Sequence, residues 1–256
     1  MASLEIFQFP CLSDNYGVLI HDQSENVTGA IDAPEAAAVK SALAEKGWTL
    51  THIFNTHHHW DHTGGNEELK AETGCKIIGP AYEAAQVPGI DVEVREGDLL
   101  KFGSHRPRVI ETGGHTSGHI AYWFPEGNAA FVGDTLFALG CGRIFEGNAH
   151  QMWNSLHKLT RLPPETAIYC GHEYTANNAK FALTIEPENE ALQARAKEIE
   201  ALRAKDLPTI PTTMGLELET NPFLRPHSPA IRARFGMENS DDWEVFAEIR
   251  KRKDAA

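Results

Sequence analysis

The stretch Thr56-His57-His58-His59-Trp60-Asp61-His62 decides how this chain is read. Four histidines and a carboxylate fall between His57 and His62, just after the apolar pair Ile53-Phe54. Imidazole nitrogens and carboxylate oxygens are the usual protein ligands for zinc and similar divalent ions, and a structural site would draw on cysteines, which this run lacks. If Leu50 to Thr56 is a strand, alternation predicts that His57 and His59 point one way and His58 the other. Asp61 and His62 then follow in a turn that faces a second ion. The run reads as half of a two-metal site. Its internal position and the interruption by Trp60 and Asp61 speak against a tag, and the rest of the chain decides against a merely solvated loop.

The same arrangement recurs three times. Arg108 to Gly114 leads to His115, Ala129 to Gly133 leads to Asp134, and Ala167 to Gly171 leads to His172. Each is an apolar strand, one or two glycines, then a metal-competent residue; glycine lets the chain turn sharply off a strand end. One such residue is more often a turn residue than a ligand. Four strand ends of the same kind predict ligands converging from loops on a rigid scaffold. His119, four residues past His115, is open between a further ligand and a packing or orienting group, the second reading being preferred. Asp32, at the end of the strand Thr28–Asp32, reads as a turn or cap residue. His58 and the remaining histidines (His21, His52, His105, His150, His157 and His227) receive no site role.

Around these motifs the chain reads as α/β. Leu4–Phe9 and Tyr16–His21 predict an antiparallel pair, and the alanine-rich stretch from Pro34 to Lys46 predicts a helix stopped by Gly47. Asn66–Thr73 predicts another helix, closed by Gly74, before the strand Lys76–Gly79. Leu136–Gly147 is glycine-rich without phosphate-loop spacing and reads as a substrate-facing loop carrying Arg143. Met152, Leu156 and Leu159 place a helix over Asn148–Leu162. After His172 the texture turns helical: one long helix is expected over Glu186–Asp206, ended by Pro208 and Pro211. An irregular crossing then follows at Pro222, Pro226 and Pro229, and a last helix runs from about Asp241 into Arg250-Lys251-Arg252-Lys253.

Composition bounds the function. The 256 residues are 41% hydrophobic and 23% charged, as in an ordinary packed globular protein. Lys and Arg total 23 against 36 Asp and Glu, and a net charge of −13 argues against nucleic acid or an anionic membrane as partner. An anionic substrate would therefore need a local basic patch. Met1 to Phe7 has neither the basic start nor the unbroken apolar run of a secretory signal, and no apolar run reaches membrane-spanning length. The cysteines (Cys11, Cys75, Cys141, Cys170) are scattered and read as reduced thiols. A cytoplasmic location is expected.

Thr56 to His62, Gly114-His115-Thr116-Ser117-Gly118-His119, Gly133-Asp134 and Gly171-His172-Glu173-Tyr174-Thr175 resemble the metallo-β-lactamase superfamily. With Gly140-Cys141-Gly142-Arg143, Asn221-Pro222-Phe223-Leu224-Arg225 and the basic C-terminus, the resemblance is closer to the glyoxalase II, or hydroxyacylglutathione hydrolase, family, and it spans essentially the whole chain. It implies an αββα sandwich over residues 1–172 and a smaller α-helical substrate-binding domain over 173–256. It also implies one metal on His57, His59 and His115, a second on Asp61, His62 and His172, and Asp134 bridging both. Two divalent ions are expected, zinc first, with iron or manganese suiting the same ligands.

The implied reaction is hydrolysis of S-(2-hydroxyacyl)glutathione, such as S-lactoylglutathione, by a metal-bridging hydroxide, a step of methylglyoxal detoxification. Asp61 or Asp134 would orient that hydroxide or take its proton. The family's glutathione contacts fall on Arg143, Tyr174, Arg250 and Lys253, which supply the basic patch. The family commonly has lysine where Arg143 stands and tyrosine where Phe145 stands, so the charge is kept and a phenol is lost. A monomer acting on a small molecule is expected. Within the fold the alternative is a sulfur dioxygenase using one iron and glutathione persulfide, which Asp61, His62 and His172, as a complete second ligand set, oppose. A non-catalytic metal-binding module is the rival from another class; release of thiol from the thioester separates the two.

Overall fold

The computed structural model describes residues 3–256, and the chain divides into two compact units, Met1–Glu111 with Thr116–Gly133, and Thr112–His115 with Asp134–Ala256. In the first unit the hairpin of β1 (Leu4–Cys11) and β2 (Asn15–Asp22) leads to β3 (Val27–Ile31). Helix α1 (Ala36–Lys46) joins β3 to β4 (Leu50–Phe54), and α2 (Trp60–Thr63) with α3 (Asn66–Thr73) joins β4 to β5 (Lys76–Pro80). With β6 (Val92–Val94) these strands form one sheet in the order β1-β2-β3-β4-β5-β6, antiparallel as far as β3 and parallel from there on. A second set, β7 (Arg108–Glu111), β8 (Ile120–Phe124) and β9 (Ala129–Gly133), is antiparallel throughout.

Strand alternation sorts the apolar residues of this unit onto two faces. Leu19, Ala30, Ile53 and Ile77 stand opposite one another across four strands and are buried in one cluster with Val39 and Leu43 of α1 and Leu69 of α3. The neighbouring row, Val18, Ile31, Phe54 and Ile78, lies on the other face. There Phe54 meets Tyr122 and Phe124 of β8 edge to face, with ring centroids 5.3 and 6.3 Å apart. The Tyr122 hydroxyl, wholly buried, donates to the Asn55 carbonyl at 2.9 Å. Helices, sheet and second sheet thus form three layers, each apolar side chain contributing about 1.5–3 kcal/mol when fully buried.

Asp22, at the end of β2, is a buried charge held by loops. Its Oδ1 accepts from the Ser24 amide and hydroxyl (2.7 and 2.6 Å), and its Oδ2 accepts from the Ser104 amide and hydroxyl (both 2.6 Å). Burial works to raise its pKa, but the bonds from Ser104 and Ser24 outweigh it and hold the carboxyl well below the usual carboxylate range. A carboxylate whose pKa is depressed on folding stabilises above its unfolded pKa, and the stabilisation is lost as pH falls through the folded one. Asp22→Asn should therefore be less stable than the wild type at neutral pH, by roughly 1.5–3 kcal/mol. The difference should start to close below about pH 4 and vanish in strong acid. Urea unfolding across that range checks both parts.

The second unit is mostly helical. The short ribbon β10 (Leu136–Phe137) and β11 (Gly140–Cys141) precedes α4 (Ala149–Leu159), which starts where Asn148 accepts from the Gln151 amide. Then come β12 (Ala167–Cys170), α5 (Thr175–Ile185), α6 (Glu190–Arg203), β13 (Thr212–Thr213), α7 (Met214–Thr220), α8 (Pro229–Phe235) and α9 (Asp242–Asp254). Trp153 of α4 lies against Phe246 of α9, and Phe246 against Phe223. The ribbon is held by polar side chains from the helical part. Glu217 accepts from the Leu139 amide (2.9 Å), Asn221 donates to the carbonyls of Phe137 and Gly140 (3.2 and 3.0 Å), and Asn178 donates to Ala138 (3.1 Å). Arg195 pairs with Glu217 and donates to the Thr212 hydroxyl, which keeps that buried carboxylate compensated.

Three sequence expectations change here. The long helix over Glu186–Asp206 is instead α6 alone, begun by the Asn189 side chain, because Glu186 is drawn into bonds with Arg225 and Ser228. Helix α5 was not expected: Asn177-Asn178 weakens its propensity, yet Ala179, Phe181, Ala182 and Ile185 bury a face. Pro229 starts α8 rather than breaking the chain, since the first helical turn needs no amide from it. The four cysteines are free and buried, and burial pushes the thiols of Cys11 and Cys170 up to about 12 and that of Cys141 to about 11. Among the described residues no helix is long and apolar enough to cross a membrane.

Candidate metal centre

Strand β4 ends at Phe54, so alternation does not reach the histidines as expected; His57 and His58 lie in the turn that follows, His59 caps α2, and Asp61 and His62 belong to that helix. What orders this turn is Asp32. Parallel pairing of β3 with β4 sets the residue after β3 beside the residues after β4, and the Asp32 amide donates to the Phe54 carbonyl at 3.0 Å. Its Oδ1 accepts from the Thr56 amide (2.8 Å), and its Oδ2 accepts from the Thr56 hydroxyl (2.9 Å) and from His62 Nδ1 (2.8 Å). Asp32 therefore does more than turn the chain, and it does not cap α1, whose cap residue is Glu35. Its left-handed φ of 55°, which aspartate tolerates, aims the carboxylate inward.

These bonds determine where the imidazole lone pairs lie. The Thr56 hydroxyl gives its one proton to Asp32, so at 3.0 Å from His57 Nδ1 it accepts, and His57 carries its lone pair on Nε2. His62 Nδ1 donates to Asp32, which leaves Nε2 as its acceptor too. His57 Nε2 faces His59 Nδ1 at 3.1 Å, and His62 Nε2 lies 3.6 Å from Asp61 Oδ2. Asn15 anchors Asp61, its amide donating to the Asp61 carbonyl and Oδ2, both at 3.1 Å. His58 turns away to Glu83. His119 is fully buried with its ring stacked 4.8 Å from that of His57, as a packing role predicts. A Cβ on Gly133 would meet Thr56 Oγ1 at 2.5 Å and His119 Nε2 at 2.6 Å, and the φ there is +48°, so only glycine fits behind the turn.

In the second unit His115, Asp134 and His172 come together. The loop before His115 is held by Ser155 Oγ donating to the Gly113 carbonyl (2.6 Å) and by the Gly147 amide donating to Gly114 (3.2 Å). His115 Nδ1 lies 2.9 Å from the Arg143 carbonyl, which only accepts, so His115 also carries its lone pair on Nε2. That nitrogen lies 3.5 Å from Asp134 Oδ2, and His172 Nε2 lies 3.2 Å from the same oxygen. Phe145 is 61% exposed beside the His115 ring, and Tyr174 stacks on His172 at 4.8 Å with an interplanar angle of 4°.

The expected substrate residues of this unit differ in surroundings. Arg143 is exposed. Arg250 is 6% exposed and lies over the Phe223 ring; it donates to the Cys141 carbonyl (3.1 Å) and to Asp254 (2.7 Å). Lys253 donates to the Asn177 carbonyl (3.2 Å) and lies over Phe181. Burial and the charges of Arg250 and Arg143 hold its pKa below the ordinary lysine value, so three cations share one neighbourhood.

The donor chemistry fits divalent metal. In each half, atoms able to ligate a metal approach at 3.1 to 3.6 Å: His57 with His59, His62 with Asp61, and His115 and His172 with Asp134. His62 and His115 have their Nδ1 protons committed elsewhere, so as neutral rings each sets a lone pair against a carboxylate oxygen, of Asp61 and of Asp134, which a shared cation would offset. Two nitrogens at about 2.0–2.1 Å from one tetrahedral ion would be about 3.3–3.4 Å apart. The carbonyl, hydroxyl and carboxylate behind the rings are the partners that orient metal-ligating histidines.

Fold and donor sets together define a metal-dependent protein of the metallo-β-lactamase type: the model for the metallo-beta-lactamase superfamily matches residues 28–172, and that for the hydroxyacylglutathione hydrolase C-terminus matches residues 173–256. The chain belongs to the hydroxyacylglutathione hydrolase family of that superfamily. It is 55% identical over 255 residues to a hydroxyacylglutathione hydrolase of Maricaulis maris, covering 100% of both chains. It is 58% identical over 251 residues to one of Brucella anthropi, covering 98% of this chain and 96% of the relative. Among solved structures, ETHE1 from Myxococcus xanthus is similar at a TM-score of 0.70 and 28% identity, over 96% of this chain and 90% of that one.

Proposed function

We propose that the chain is a metal-dependent thioester hydrolase that cleaves S-(2-hydroxyacyl)glutathione, such as S-lactoylglutathione, to glutathione and the free 2-hydroxy acid. One observation carries this reading: end-to-end identity of 55% to a relative of that name, with the family's own C-terminal region matched from residue 173 onward. The ligand sets would be His57, His59 and His115 for one ion, Asp61, His62 and His172 for the other, and Asp134 for both. Divalent ions bound there, zinc being the first choice, would supply a water ionised near neutral pH and would polarise the thioester carbonyl.

The chain's own groups do the rest. Asp61 or Asp134 orients the attacking water and receives its proton. Arg143 and Lys253 take the glutathione carboxylates, Arg250 adds its charge to the same patch from its buried position, and Tyr174 contributes its hydroxyl and its ring. Water oxygen adds to the acyl carbon, the carbon–sulfur bond breaks, and the departing thiolate takes up a proton. A thiol of pKa about 8.5 leaves readily without a strong acid. The reading places the enzyme in the cytoplasm as a monomer, where buried, protonated cysteines suit a reducing medium.

Lys253→Ala should raise KM for S-lactoylglutathione about tenfold, the value of one charge-assisted hydrogen bond partly exposed to water, with kcat nearly unchanged. An unchanged KM would remove Lys253 from the patch. The reading as a whole is tested with the zinc-loaded chain and S-lactoylglutathione: glutathione and D-lactate should appear in equal amounts. Absence of thiol release, with oxygen uptake on glutathione persulfide by the iron-loaded chain instead, would establish the dioxygenase.

A further inference from the structure

Glu83 has no part in the ligand sets, yet its carboxylate is built into the metal-binding turn. It lies just past the end of β5, in a short 3-10 segment whose helical dihedrals break at Glu83 itself (φ −122°, ψ 24°), and it is 2% exposed. Oε1 accepts from the His58 amide at 2.8 Å and from the Thr116 hydroxyl at 3.2 Å, and it lies 3.1 Å from His58 Nδ1. Oε2 accepts from the Gly118 amide at 2.9 Å. A buried carboxylate is costly unless such donors surround it, and here they come from two separate loops.

We propose that Glu83 is a positioning residue for the metal centre: by holding the amide of His58 it fixes the chain between His57 and His59, and so the angle at which both imidazoles approach one ion. This rests on the reading of His57 and His59 as ligands of a common metal. His58 is the only residue between them, and without its tether the 3.1 Å approach of His57 Nε2 to His59 Nδ1 depends on the turn alone. The surroundings admit little else. A Cβ at Gly118 would meet Glu83 Oε2 at 2.9 Å and Tyr82 Cβ at 3.0 Å, so the carboxylate's seat is closed on that side. Glutamine could keep the His58 amide and the Thr116 hydroxyl on its one oxygen and leave only the Gly118 amide without an acceptor, so releasing His58 takes a side chain with no acceptor at all.

The test is zinc affinity, measured by competition with a chromophoric chelator on folded, metal-free protein, with near-UV circular dichroism as the check of fold. Glu83→Ala, which removes both acceptors, should weaken binding by about 10–100-fold, the usual cost of losing an orienting partner at a metal site. Its thioester turnover should recover as zinc is raised, which damage to the fold alone would not allow. Gly118→Ala, which pushes the carboxylate aside without removing its charge, should weaken binding in the same direction and answers the question if Glu83→Ala does not fold. Wild-type affinity in a folded variant overturns the inference and leaves the metal reading intact. A wild-type chain that binds no zinc overturns both.

Discussion

Asp134→Ala should abolish nearly all thioester hydrolysis, by more than about 100-fold, because loss of a mere orienting partner already costs about 10–100-fold and Asp134 is read as a ligand of both ions. The physical basis is its seat between two imidazoles, with one carboxylate oxygen 3.5 Å from His115 Nε2 and 3.2 Å from His172 Nε2. Alanine removes the anion that balances whatever cation those rings share. Bound metal should fall below two ions per chain, and added zinc should not restore the rate, because alanine leaves no oxygen at this place between the two rings. Metal content by atomic spectroscopy, read beside the rate, checks it. Two ions and undiminished turnover in this variant would remove Asp134 from the site.

Asp32→Asn should have the next largest effect although Asp32 touches no proposed substrate. Asparagine keeps the shape and tolerates the left-handed backbone at this position, so the chain has no steric reason to move. The amide offers one accepting atom where the carboxylate offers two. Either the Thr56 amide or the pair formed by the Thr56 hydroxyl and His62 Nδ1 then loses its acceptor. If it is the pair, His62 is driven toward the tautomer protonated on Nε2 and its metal-facing lone pair is lost. Zinc affinity should drop about 10–100-fold, with turnover partly restored by excess zinc. Calorimetric titration with zinc would expose the change, and wild-type affinity would mean that Asp32 serves only the fold.

The contrast between these two aspartates shows what was legible in the sequence. Asp134 stands out because an apolar strand and a glycine precede it, as they precede His115 and His172. Asp32 also follows a strand, but an aspartate two residues before a proline is what any turn looks like. Its role depends on β3 and β4 being parallel neighbours, a long-range pairing that local sequence does not carry. Glu83 left no mark at all, lying in a polar segment among alanines. Asn15 falls between the expected strands Leu4–Phe9 and Tyr16–His21 and drew no site reading, because its partner Asp61 is distant in sequence. In the fold, the strands with strong alternation were visible, as were the helices closed by Gly47 and Gly74. Helix α5 was hidden by its two asparagines, and α8 by proline punctuation that marks a helix start as readily as a break. Arg143 was expected to serve through its charge, but its backbone carbonyl also orients His115, a use of the chain that no side-chain pattern announces.

The central claim is that two ions held by these histidines and aspartates carry out thioester hydrolysis. Its most direct measurement is thiol release from S-lactoylglutathione by chelated protein as zinc is returned in known amounts. The rate should start near zero, rise with bound metal and level off at two ions per chain. Undiminished thioester cleavage by the metal-free protein, or a plateau at a single ion, would contradict it.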